Sequence, residues 1–135
     1  MNSKIHLSGK IALPAAAIAL WLTGGMGVAQ AASAEAIAAG KQSFNRYCAP
    51  CHGTDAKGSG PLAAMLKDKP ADLTVVYKKF NGVFPFMMVV DTIDRGTPLT
   101  AHGGGEMPIW GEAFEDDARG RILDIVLYLN SIQAR

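Results

Sequence analysis

Cys48-Ala49-Pro50-Cys51-His52 is the stretch from which the rest of the chain is read. Two thiols three positions apart, followed at once by an imidazole, suit covalent attachment of a haem. Each sulfur reaches one vinyl group on a single porphyrin edge, and the next residue offers a nitrogen to the iron. On this reading Cys48 and Cys51 carry the haem and His52 is an axial ligand. Other uses of the same residues fit less well. Zinc takes about four N or S ligands, and the chain has no cysteine outside the motif and only His6, His52 and His102. A thioredoxin-like dithiol belongs in a βαβ surround, whereas the residues before Cys48 read as an alanine-rich helix. A structural disulfide leaves the placement of His52 unexplained.

Upstream of the motif the chain divides in two. Lys4 and Lys10 form a positive leader, Ile11 to Leu22 an apolar run broken by Pro14, and Ala29-Gln30-Ala31 a small-x-small cleavage site. The pattern predicts a secretory signal over residues 1–34, cut after Ala31 or after Ala34, and a single haem domain over 35–135. The alternative is an uncleaved anchor, since the apolar stretch continues through Ala29, close to the roughly 20 residues that span a bilayer. Gly24, Gly25 and Gly27 weaken that stretch as a helix. Membrane association is expected only if the segment stays attached. Export suits the cysteines: attachment needs reduced thiols and leaves none to oxidise.

From Glu35 onward there are eleven Lys/Arg and twelve Asp/Glu, a balance with no nucleic-acid signature. The charge is uneven. Residues 35–80 hold seven basic and four acidic side chains, and residues 81–135 four and eight. Lys57, Lys67, Lys69, Lys78 and Lys79 supply most of the basic half, either as a solvated surface or as a steering patch for an acidic redox protein. A domain of about a hundred residues has a limited apolar core, so a covalently held porphyrin would supply the surface for several short helices to wrap. The apo-chain is expected to fold poorly.

The second informative stretch is Gly103-Gly104-Gly105-Glu106-Met107-Pro108-Ile109-Trp110-Gly111. A second axial ligand must approach from the face opposite His52, on an irregular loop far along the chain. Met107 meets that need: Pro108 restricts it to extended backbone, the glycines permit tight turns, and a thioether favours reduced iron. His102 is the rival ligand. Met87 and Met88 lie off the apolar stripe of their helix and read as packing residues. Trp110, through its indole N–H, and Arg95, through its charge, are candidate propionate contacts.

The remaining elements read as helices joined by turns. Ser33 suits a cap with Glu35 near the positive end. Ile37, Gly40, Lys41 and Phe44 share a face, and Gly40 beside Phe44 predicts a close helix crossing. Tyr47 is expected to end that helix. Gly53, Gly58, Gly60 and Pro61 read as a loop leaving the haem edge, Leu62 to Leu66 as a short helical piece, and Pro70 to Asp72 and Asn81-Gly82 as breaks. Pro85, Phe86, Val89, Val90 and Ile93 give a helix stopped by Gly96. A last helix opens near Asp116 and Asp117 with Ile122, Ile125, Val126, Leu129 and Ile132 on its apolar face, Arg121, Asp124 and Ser131 opposite, and Tyr128 placed to meet Phe44.

Together, the helix with Gly40 and Phe44, the CAPCH motif, the Met107-Pro108 pair and the closing helix with Tyr128-Leu129 resemble class I cytochrome c. The runs PADLT, FPFMMVVDTIDRG and AHGGGEMPIWG are similar to small exported bacterial monohaem cytochromes, including domains attached to larger oxidoreductases. The resemblance spans the chain after its leader. It implies an all-α cytochrome c fold, short helices around one haem c with the terminal helices crossing, His52 and Met107 as axial ligands, and one-electron transfer in the periplasm. A carrier of this kind is not an enzyme and needs no catalytic acid or base; its partners are a redox donor and an acceptor. The other expectations are an electron-transfer subunit of a larger dehydrogenase or reductase and, third, a haem enzyme or gas sensor with an open sixth position.

Overall fold

The alanine-rich stretch before the motif is helical: residues 33–43 form α1 in a computed structural model that describes residues 33–96 and 107–135. Residues 1–32, and with them most of the secretory signal expected over 1–34, lie outside the described residues, as do His102, the glycines 103–105 and Glu106. Ser33, expected as a cap, is already helical. Nor does the helix stop at Tyr47. It passes through a π-helical turn, Phe44–Cys48, straight into α2, Ala49–His52, with the Ala49 N–H reaching back to the Phe44 carbonyl. Pro50 explains the wide turn. It has no N–H, and in a regular helix its ring collides with the carbonyl four residues back; the added residue moves that carbonyl away and the helix continues.

The loop after His52 returns to the motif instead of leaving it. A helix end exposes its last carbonyls, and here each finds a donor. The Gly53, Gly58, Gly60 and Leu62 N–H groups donate to the carbonyls of Ala49, His52, Cys51 and Pro50 at 2.8, 2.7, 3.1 and 2.8 Å. Gly58 has φ +77°, and a Cβ there would strike the Pro70 carbonyl, so only glycine makes this turn without strain. A 3₁₀ turn, Ala63–Met65, follows, and after the Pro70 break a second, Leu73–Val75, is capped by Asp72. Helix α3, Val76–Lys79, ends before the Asn81-Gly82 turn.

Helix α4, Phe86–Arg95, opens after Pro85 and stops at Gly96, with Val90 and Ile93 buried. Met87 and Met88 are not packing residues: they stand 61% and 40% exposed on its outer side. Helix α5, Trp110–Ala113, and helix α6, Ala118–Ser131, follow. Helices α4, α5 and α6 pack mutually. Asp117 sits at the start of α6 as its spacing suggests, though its side chain makes no capping bond.

The core lies where α1 meets α6. Phe44, Ile122, Ile125 and Val126 are fully buried, and the Phe44 and Tyr128 rings meet at 5.3 Å between centroids. A Cβ on Gly40 would collide with the Asp124 carbonyl, so the two helices cross backbone to backbone. Arg121 and Asp124, expected on the solvent side of α6, are half-buried. Arg121 lies over the rings of Tyr47 and Phe114, and Asp124 lies at the Gly40 crossing. The chain is all-helical, with no strand among its described residues. No helix among them is long and apolar enough to cross a membrane.

Candidate cofactor site

Residues spread from Phe44 to Leu129 line one cavity of about 350 Å³. The π-turn and α2 bring Cys48, Cys51 and His52 to it. Phe44, Ile125 and Leu129 come from the terminal crossing, Val89, Thr92 and Ile93 from α4, and Met107, Pro108 and Trp110 from the segment leading into α5. Leu66 to Ala71 and Leu73 complete it except at Lys67, which turns to the surface. The lining is largely apolar, which suits a flat hydrophobic group with a few placed polar contacts.

The imidazole is oriented by backbone. His52 Nδ1 lies 3.2 Å from the Ala71 carbonyl oxygen. A carbonyl only accepts, so Nδ1 carries the proton and donates, which leaves the lone pair on Nε2. Metal-binding histidines are commonly held in this way, and the bond also strengthens the imidazole as a donor. The Ala71 carbonyl carries no side-chain signature, and the sequence marks its place only as the break over Pro70 to Asp72.

Cys48 and Cys51 both stand on the cavity wall. Burial, and secondarily the neighbouring Cys51, push the Cys48 thiol up to about 12. A thiolate is disfavoured there; a neutral thioether is not. The donor set therefore fits a covalent porphyrin: two sulfurs on the cavity wall, an imidazole with its nitrogen directed by a second bond, and a thioether at Met107 on the same cavity.

An aromatic group backs the wall. Trp110 stacks on Phe114 at 5.0 Å, and Tyr47 meets Trp110 and Phe114 edge-on at 5.7 and 5.0 Å. Arg121 Nη1 donates to the Tyr47 hydroxyl at 3.1 Å, and its guanidinium lies 5.7 and 5.1 Å from the Tyr47 and Phe114 ring centres. Tyr47 and Arg121 were not singled out as site residues, because their proximity joins positions 74 apart in the chain. Trp110, named for its indole N–H, lines the cavity. Arg95 does not: it is exposed, 3.5 Å from Asp94, and stands outside the cavity wall, since it occupies the outward side of the last turn of α4.

The family described as cytochrome C oxidase, cbb3-type, subunit III has a model that matches residues 35–124. No curated protein and no solved structure matches the chain.

Proposed function

Because the chain belongs to that cbb3-type subunit III family of c-type cytochromes, and so carries covalent haem c for electron transfer, we propose that it is a one-electron carrier with His52 and Met107 as axial ligands. The observation that carries this reading is convergence: Cys48, Cys51 and His52, and Met107 far along the chain from them, line one largely apolar cavity. When bound, the haem supplies an iron centre that changes by a single electron. The chain's own residues do the rest. Cys48 and Cys51 tether one edge, the Ala71 carbonyl aims His52, and the apolar wall keeps water from the centre.

With His52 and Met107 both holding the iron, no position would remain for a substrate and no acid or base would be required. Transfer then depends on a transient docking surface. Lys57, Lys67 and Lys69 are exposed, and Lys69 also lines the cavity, so this basic side would steer an acidic redox protein toward the site. The leader over residues 1–34 supports export to the periplasm. A second reading, favoured by the oxidase subunit in the family's description, makes the chain an electron-transfer subunit of a larger complex; comigration with other chains under mild, detergent-free isolation would select it over a diffusing shuttle.

Carbon monoxide tests the ligand set. The reduced parent is expected to leave it unbound and Met107→Ala to take it up. Ready binding by the parent would favour an open-site haem enzyme or sensor.

A further inference from the structure

The segment that aims His52 is itself held by the C-terminus. Gln133 is the buried polar residue of the described chain, 8% exposed, and its amide is fully used. Its Nε2 donates to the Leu73 and Leu129 carbonyls, both at 2.7 Å, and its Oε1 accepts the Tyr77 N–H at 2.8 Å. Next to it, the Ala134 N–H donates to the Thr74 carbonyl at 2.8 Å. Leu73 and Thr74 thus hang from the end of α6, two and three residues beyond Ala71, whose carbonyl accepts the His52 proton.

The same segment is fixed on its other side. The Leu73 N–H donates to the Ala56 carbonyl at 2.8 Å, and Asp72 takes both the N–H and the hydroxyl of Thr74. Residues 71–75 are therefore a short strap between the loop that caps the motif and the last turn of the chain. With one side released, the Ala71 carbonyl loses its fixed direction.

We infer that Gln133 is a positioning residue for the redox centre: by clamping the 71–75 strap it sets the His52 to Ala71 hydrogen bond and so helps set the reduction potential. The inference rests on His52 being the iron ligand. A ligating imidazole that donates its other proton is a better electron donor and favours the oxidised metal. Weakening that bond shifts the potential upward.

The test compares the haem-loaded parent with Gln133→Met, which keeps length and bulk but has no hydrogen-bonding amide. Val126→Ala, a fully buried α6 change whose side chain does not line the cavity, is the control for simple destabilisation. Both substitutions lower the denaturation midpoint. Gln133→Met alone is expected to raise the potential and to speed solvent exchange of the His52 Nδ1 proton in the reduced protein. Ala134→Pro, which deletes one strap bond without adding charge, gives a smaller shift in the same direction and serves if Gln133→Met does not fold. A destabilised Gln133→Met with the parent's potential and proton exchange overturns the inference while leaving the ligand assignment standing. A parent whose spectrum lacks histidine ligation overturns both.

Discussion

Asp124 is half-buried on α6, and burial of its carboxyl, with the Asp117 charge adding to it, raises its proton affinity above that of an ordinary aspartate. The sign of the linkage follows. As pH rises past the ordinary aspartate value the unfolded chain loses this proton first, so native stability falls until the raised folded value is passed. Asp124→Asn removes that contribution, and the urea midpoint of the variant should lose part of the parent's decline over this mildly acidic window; identical pH profiles would refute it. Asp72 works the other way. The Thr74 hydroxyl outweighs the opposing effect of burial and, with the Thr74 N–H and the Lys57 and Lys79 charges adding to it, holds the carboxyl below the ordinary range. Its contribution is therefore present above the ordinary value and lost as pH falls through the lowered one. Arg121 is a packing cation as much as a charge. Arg121→Met should cost about 1–2 kcal/mol from the lost Tyr47 hydrogen bond and ring contacts, and Arg121→Lys should recover only part of it because the planar fork is lost; denaturant midpoints decide.

Between elements, the Gly40 crossing makes the sharpest demand. An added methyl meets the Asp124 carbonyl, not a flexible side chain, so Gly40→Ala should cost about 1–3 kcal/mol through forced separation of α1 and α6. The measurement is a urea titration with unchanged slope; a neutral or stabilising result would contradict the backbone-to-backbone contact. This crossing was readable beforehand because a lone glycine beside a buried-looking Phe44 is costly unless something comes close. Helices α4 and α6 were equally readable, since Val90, Ile93, Ile122, Ile125 and Leu129 recur at helical spacing and a proline and a glycine mark the ends of α4. The continuation of α1 into the motif was not: Pro50 ordinarily signals a break, and nothing local shows that a π-turn will absorb it. The return of the 53–62 loop was likewise hidden, because its bonds join backbone groups whose residues have no distinguishing side chains. Gln133 was invisible for a related reason. Its partners at Tyr77 and Leu73 are 56 and 60 positions away, and a glutamine near a terminus reads as surface.

The whole domain is built around what fills its cavity. Leaving the largely apolar lining of this cavity without contacts forfeits the packing of residues from the motif, α4 and α6 at once. The haem-free chain, prepared as Cys48→Ala/Cys51→Ala, should therefore collapse or populate loosely packed states. Near-ultraviolet circular dichroism would show a weak aromatic signal from the Tyr47, Trp110 and Phe114 group and no cooperative melt; a sharp melt would show that the helices hold without the porphyrin. The motif at residues 48–52 specified the group, and the molecule's size explains why so much of the apolar surface turns toward it. The second ligand is the point on which the carrier reading turns, since Met107 bound at the sixth position would close the iron to substrates and leave electron exchange as its chemistry. The deciding measurement is near-infrared magnetic circular dichroism of the oxidised, haem-loaded protein beside Met107→Ala. A methionine-to-iron charge-transfer band in the parent, absent from the variant, is predicted; a high-spin or bis-histidine spectrum in the parent would contradict the account.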